Sequence, residues 1–590
     1  MRSSVTRSRA SLAQHGLWLT ERTGAGGGAA HHLPLAVHLE GPLDEAALRA
    51  ACAAVATRHP VLAAALREED GELLLVPGAA EPPFRVEDVA DDDVPAALDG
   101  EVARPFDLAA GPLARFTLFR LEPKRHILLV VAHHAAFDGM SKDLLLHDLA
   151  AAYGGSPPAP PATSHGEAAA DEHERVAADL EAAAEFWRPR WNDGGELRLP
   201  GLRRVSLRTA PGDTVDLALG SGPESGPEPG REPGREPGRE PSREPGLGSA
   251  LGPAAERIGV TRFELLLAAL HTLLYGYGNA PATVSVDVST RTARTRDHVG
   301  MFVNELPVTA SPDGTPSPDG TLPPDGTFAA FARSVRDELR AAYRFRGVPV
   351  VRALGGVSPR ASLTPVSLSY RRRGEDPLFP GLDSRVEWTM SNGAVRGTLH
   401  LQAVEAPDGI TAHLRFDPGC LDRASCEAVA GHLTALLRAV AAHPDTPIAE
   451  LPLPPRQQAA TAPGAASGTA AAPGSAAEAP TAPGVGAGPV PTAGPAAGPA
   501  AGPASAGPAS PGAAPVVDEV LEIWREVLGF DDITADDDLF DLGGHSLSIT
   551  QIIARVRDRM GVEVSFEVFL DTPTAAGVAA DVERLRGEPC

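Results

Sequence analysis

Two short runs carry residue types whose spacing could do chemistry. In His133-His134-Ala135-Ala136-Phe137-Asp138-Gly139, two imidazoles follow Arg125 to Ala132, an apolar, β-branched stretch that reads as a buried strand. Neighbouring side chains at a strand end point to opposite faces, so only one of His133 and His134 readily faces a given cleft. A neutral imidazole, with an ordinary pKa near about 6.5, can accept a proton or hydrogen-bond a nucleophile at physiological pH. Gly139 allows a tight turn, and Asp138 is near enough to fix the loop through a charge or hydrogen-bond partner. Ser141 is expected to open a helix with Leu144, Leu145, Leu149 and Ala152 on one side. Taken alone, the run also fits a pair of structural histidines beside a turn.

The second run, Asp541-Leu-Gly-Gly-His-Ser-Leu547, places Ser546 after the flexible pair Gly543-Gly544. A helix-like run follows, Ser548 to Met560, with apolar residues at Leu547, Ile549, Ile552, Ile553 and Val556. A serine so placed is exposed, its backbone can be approached closely, and the helix N-terminus favours a phosphate nearby. An ordinary loop with a helix N-cap would show the same Gly-Gly-x-Ser.

The elements that must position these runs fall into three stretches: 1–454, 455–515 and 516–590. Between Pro455 and Pro515 the chain is nearly all Ala, Gly, Pro, Ser and Thr, with Ala-Gly-Pro repeats. Such a segment has nothing to bury and is expected to be a disordered tether with a root-mean-square span of about 40 Å. Within the first stretch, Ser221 to Gly246 repeats Arg-Glu-Pro-Gly and reads as a solvated, disordered insertion between two folded halves. The last stretch reads as a small helical bundle. Val517, Val520, Leu521, Trp524, Val527 and Leu528 share a helical face that Gly529 would stop, Val564 to Leu570 suggests a short third helix, and Ala575 to Leu585 a last one.

Composition narrows the classes. A net charge of -25 argues against nonspecific nucleic-acid binding. Four cysteines show no metal-site spacing, so no metal is expected and a reducing cytoplasm is the natural compartment. No signal peptide and no apolar run of membrane-spanning length is seen.

The block Asp537 to Ile553 resembles the core of peptidyl carrier proteins from nonribosomal peptide synthetases. The His133–Gly139 run resembles the signature of condensation domains, which share their fold with chloramphenicol acetyltransferase. Further segments match that family in order across roughly residues 11 to 452: Ser11-Leu-Ala-Gln-His-Gly-Leu-Trp18, Arg58-His-Pro-Val-Leu62 and Val299-Gly-Met-Phe-Val-Asn-Glu-Leu-Pro307. Thr261-Arg-Phe-Glu264 is a capping box for an apolar helix through Tyr275, where the family begins its second half. There are departures. Ala63-Ala64 stands where the family has Arg-Thr, a tyrosine-containing stretch has no counterpart between Pro158 and Glu185, and Tyr370-Arg371-Arg372-Arg373 only weakly echoes a later motif.

The resemblance implies an α/β condensation domain of two chloramphenicol-acetyltransferase-like lobes and an all-α four-helix carrier bundle. It implies His134 as the catalytic histidine, His133 as its support, Asp138 as loop organiser, and Gly139 as a close-approach position beside a developing oxyanion. Ser546 would carry 4'-phosphopantetheine. Asn304 reads either as a cleft residue or as a structural loop residue. The reaction implied is amide formation between a donor acyl thioester on another carrier and an amino acid on this chain's own arm. No adenylation domain is recognisable, so the amino acid would be activated in trans. The partners implied are a phosphopantetheinyl transferase, a separate adenylation enzyme, an upstream donor carrier, and a downstream module or thioesterase, with no nucleic acid and no membrane. Ester formation and a catalytically silent module presenting its carrier to tailoring enzymes are the alternatives. Epimerisation fits less well because such domains usually follow their carrier, and heterocyclisation replaces the first histidine with aspartate.

Overall fold

The structure, a computed structural model, describes residues 7–23, 28–191, 197–219, 246–312, 326–355, 361–407, 409–454, 516–528, 533–535, 539, 546–566, 568–572 and 574–587. The proposed tether and nearly all of the Arg-Glu-Pro-Gly insertion lie outside the described residues, as does Gly529.

The first lobe contains α1 (Leu12–Arg22), β1 (His32–Glu40), α2 (Glu45–Arg58), β2 (Phe84–Asp88), β3 (Ala114–Glu122), β4 (Arg125–His133) and α3 (Gly139–Tyr153). The helix α4 (His165–Trp187) follows. The second lobe contains β5 (Asp213–Asp216), α5 (Leu247–Ile258), α6 (Arg262–Gly276), β6 (Ala282–Ser289), β7 (Val303–Ala310), α7 (Phe328–Tyr343), β8 (Val366–Arg372), β9 (Asp383–Glu387), β10 (Leu399–Ala406), β11 (Gly409–Phe416) and α8 (Arg423–Ala442).

Helix starts follow local chemistry. Ser11 and Gln14, Ser164 and Glu167, and Thr261 and Glu264 form reciprocal capping boxes that satisfy the first backbone donors of α1, α4 and α6. Along β4, Ile127 to His133 is buried without interruption, because helices cover both faces of its sheet. That sheet runs β9-β1-β4-β3-β2, and its edge strand β9 is lent by the second half of the chain, pairing antiparallel from Asp383↔Glu40 to Glu387↔Ala36. The second lobe's sheet runs β7-β6-β8-β10-β11-β5, with parallel pairs at β6·β8 and β8·β10. Its core is built on α6, buried from Glu264 to Leu274.

Helix α3 begins two residues earlier than the sequence suggests. The Asp138 carboxylate accepts the Ser141 N–H at 2.8 Å, so Asp138 is the N-cap and Gly139 the first helical residue. The buried stripe also shifts, to Leu145, Leu146, Leu149 and Ala150, with Leu144 and Ala152 at its margin.

The C-terminal unit has α9 (Val516–Leu528), α10 (Ser546–Met560), α11 (Val568–Asp571) and α12 (Ala575–Gly587) around Val520, Trp524, Ile549, Ile552, Val556, Phe569 and Val578. The third helix is a single turn, shorter than the expected Val564 to Leu570, because Val564 reaches the core from the irregular segment before it. Among the described residues no single helix is long and apolar enough to cross a membrane.

Candidate active site

The matched segments, far apart in the chain, converge on the loop after β4 and on helix α3 that follows it. The Gln14 amide donates to the Ala135 carbonyl at 2.9 Å. Asp148 of α3 accepts Arg58 Nε at 2.7 Å and bonds His59 Nε2 at 2.6 Å. From the second lobe, the Phe302 N–H donates to Asp138 at 3.0 Å, and the Ser141 hydroxyl bonds both the carbonyl and the N–H of Gly300 at 3.0 Å.

The strand-end alternation separates the two histidines. His133 ends β4 with its ring turned into the first lobe, 2% exposed; its Nδ1 receives the Ala135 N–H at 3.2 Å and its Nε2 faces Glu21 at 3.5 Å. His134 is half-buried and lines a cleft of about 200 Å³ between the lobes. Its N–H is fixed by the His31 carbonyl at 2.7 Å. Its Nδ1 lies 2.8 Å from the Phe137 carbonyl. A carbonyl can only accept, so Nδ1 carries the proton and Nε2 keeps its lone pair. Burial, the Arg396 guanidinium and His31 hold the imidazole well below its ordinary pKa, with Asp138 opposing them. It is therefore neutral at physiological pH.

Asp138 does not reach the cleft. It clamps the lobes together: Arg291 donates through Nη1 and Nη2 to its two oxygens, and both side chains are only 5% exposed. Arg291 also reaches the Ser141 hydroxyl at 3.1 Å and the His298 carbonyl at 2.8 Å, and lies over the Phe302 ring.

Gly139 also lies outside the cleft wall, with its carbonyl accepting from Arg371 at 2.9 Å. It does not have a positive φ, so the turn does not require glycine's freedom. A Cβ there would stand 3.3 Å from Arg371 Cδ, so what glycine provides is room for this arginine. Arg371, in the weakly matching Tyr370–Arg373 segment, also pairs with Asp143 at 3.4 Å and lies over Trp388. Asn304 does line the cleft, but its amide donates to the Arg346 and Val348 carbonyls at 3.0 and 3.2 Å and acts as a brace.

Several cleft groups were not singled out from the sequence, although Glu305 lies within the matched Val299–Pro307 segment. Arg396 lies 3.7 Å from Asp287 and 3.5 Å from Glu305. Burial raises both carboxyl pKa values, and the two carboxylates together hold the guanidinium up against its own burial. His31, held by Glu21, also lines the cleft. The signals for these groups were weak: single charged residues in strands, and an imidazole outside any recognised segment.

A condensation-domain family model matches residues 6–461, and a phosphopantetheine attachment site model matches residues 518–582. The chain belongs to the condensation domain family. Condensation domains are acyltransferase-type enzymes that form peptide bonds, and the C-terminal unit is of the kind that carries phosphopantetheine covalently on a serine. Among curated relatives, the chain is 26% identical over 442 residues to tyrocidine synthase 3 of Brevibacillus parabrevis, covering 72% of this chain and 6% of that protein. It is 29% identical over 468 residues to the probable non-canonical nonribosomal peptide synthetase CymA of Salinispora arenicola, covering 75% of this chain and 6% of that protein. The chain thus spans only a small part of the length of these relatives.

Solved structures share the fold. The X-domain from teicoplanin biosynthesis is 24% identical with a TM-score of 0.61, and the first condensation domain of the calcium-dependent antibiotic synthetase, with a substrate analogue, is 22% identical with a TM-score of 0.59. In both cases 76% of this chain and 99% of the other are covered.

The attachment group fits the C-terminal unit. Ser546 is the first residue of the 15-residue helix α10, whose N-terminus favours a phosphodiester. Its side chain and residues 540–545 lie outside the described residues.

Proposed function

We propose that the chain is a condensation-carrier didomain of a nonribosomal peptide synthetase. It joins a donor acyl thioester, delivered on a separate upstream carrier, to the amine of an amino acid held at Ser546. The observation that carries this reading is His134, whose Nδ1 is tied to the Phe137 carbonyl and whose Nε2, without a partner among the described residues, lies in a cleft between two lobes clamped by Asp138 and Arg291. Such a lone pair can accept a proton from, or hydrogen-bond, an attacking amine.

The bound cofactor would supply a flexible arm ending in a thiol, to which the amino acid is linked. His134 orients the amine and receives its proton, His133 holds the loop from behind, and Asp138 fixes the lobes. Gly139 leaves space for Arg371. The complete clamp and the free Nε2 favour catalysis over a silent recruitment module. Nothing in the cleft separates an amine from a hydroxyl nucleophile, so the product is fixed by what the carrier holds. Activation by a separate adenylation enzyme, modification by a phosphopantetheinyl transferase, hand-over to a downstream module or thioesterase, and a cytoplasmic location complete the reading.

The test is His134→Ala in the loaded full chain. Amide formation is expected to fall about 10²–10⁴-fold while loading is unchanged. Unchanged turnover would refute the role of His134.

A further inference from the structure

A second imidazole stands in the cleft wall. His31 directly precedes β1, lines the same cleft as His134, and its ring centroid lies 6.5 Å from the His134 ring. Its Nδ1 faces the Glu21 carboxylate on α1. Burial pushes the Glu21 carboxyl up, but the hydrogen bonds it receives from His133 and His31 outweigh it, holding it at about 2. An ionised carboxylate only accepts, so His31 Nδ1 carries a proton and Nε2 is the ring nitrogen left to take or give one. That Nε2 has no partner among the described residues.

Glu21, His31 and His133 also place three potential metal-ligand atoms within 4.8 Å of one another. A hydrogen-bonded set accounts for them better. The Ala135 N–H occupies His133 Nδ1, so the His133 proton sits on Nε2 and points at Glu21. A metal there would require both nitrogens of one ring to be deprotonated or the Ala135 bond to break.

The two cleft imidazoles therefore share a design, each with Nδ1–H tied to an oxygen and Nε2 free. They differ in the oxygen. His31 Nδ1 faces the Glu21 carboxylate, whereas His134 Nδ1 faces a backbone carbonyl, with the Arg396 charge nearby opposing a second proton.

We propose that His31, backed by Glu21, is a second proton acceptor that takes the proton an acceptor ammonium must lose before it can attack. The inference rests on the amide-forming reading above. The protons balance as follows. An ammonium brings three. One passes to His31 Nε2, leaving an amine with a free lone pair. The nitrogen then attacks the thioester carbon, the carbon–sulfur bond breaks, and a second proton travels from nitrogen by way of His134 to the departing sulfur. The third stays on the amide nitrogen, and His31 returns its proton to water.

The test uses the full chain loaded from coenzyme A thioesters with two probes of nearly the same shape. β-Alanyl presents an alkyl ammonium at neutral pH. Aminooxyacetyl presents an amine that its neighbouring oxygen keeps unprotonated. The donor is the N-acetyl-leucyl thioester of N-acetylcysteamine. His31→Gln and Glu21→Gln are expected to slow amide formation from β-alanyl about 10²-fold and from aminooxyacetyl only about 3-fold or less. The β-alanyl deficit should shrink as pH approaches the amine pKa. Equal losses with both probes, or none with either, would overturn the proposal.

Nitrogen-15 spectra of the histidine rings give a readout that does not depend on turnover. They should show His31 protonated at Nδ1, with that proton's resonance moving in Glu21→Gln; a His31 protonated at Nε2 would overturn the proposal. If the unaltered chain forms no amide from either probe, it is the amide-forming reading that fails, and the ring spectra still decide on His31.

Discussion

Replacing Asp138 with alanine removes the acceptor for five donors: the Ser141 N–H and hydroxyl, two Arg291 nitrogens and the Phe302 N–H. Arg291 would keep only the Ser141 hydroxyl and the His298 carbonyl, with its charge 5% exposed and uncompensated. Breaking a buried pair in this way costs about 3–5 kcal/mol, and losing the cap of α3 adds about 1 kcal/mol. Arg291→Met alone should cost about 3–5 kcal/mol, because it strands the aspartate. The double replacement should cost little more than the worse single one, so the coupling should be nearly the smaller single cost, about 3–4 kcal/mol. Urea unfolding followed by tryptophan fluorescence measures all four chains. Amide formation should fall in each variant, because Asp138 belongs to the lobe that holds His134 and Arg291 to the other, while loading at Ser546 should be unaffected. Single costs that add to within about 0.5 kcal/mol, or an Asp138→Ala chain as stable as its parent, would refute the clamp.

Further outcomes follow from other residues. Ser546→Ala should abolish the mass increment on treatment with coenzyme A and a phosphopantetheinyl transferase, and a modified variant would move the attachment site elsewhere. Burial lowers His32 to about 4 and His165, His271 and His400 to about 3. Between about pH 6.5 and 3 the unfolded chain therefore binds protons that the folded chain does not, so stability is complete above pH 6.5 and lost progressively below it. Urea midpoints that stay level from pH 7 to 4.5 would contradict this. His271 is fully buried and neither ring nitrogen has a partner among the described residues, so His271→Leu should stabilise the chain by about 1 kcal/mol and lessen its acid sensitivity. A large loss of stability would show that the ring is satisfied after all.

Local chemistry was legible in the sequence. The Thr261 capping box, the buried strand to Ala132 and the opposed faces of His133 and His134 all depend on neighbours a few residues away. Asp138 was recognisable as a loop organiser, but its partner was not. Arg291 is 153 residues along the chain, and only the packing of two lobes brings it there. The same holds for β9, which leaves the second half to complete the first lobe's sheet, and for His31 and Glu21, which meet only when α1 packs beside the end of β4. The start of α3 was misplaced for a local reason: Ser141 looks like a cap, yet its N–H is what Asp138 caps.

The most direct test of the central claim is intact-protein mass spectrometry of the full chain. The chain is first loaded with an amino acid and then mixed with a donor-loaded carrier. Growth of the mass on this chain by the donor acyl group, slowed about 10²–10⁴-fold by His134→Ala, is the predicted result. A product left on the donor carrier, or no acyl transfer with any loaded pair that the partner enzymes accept, would contradict it.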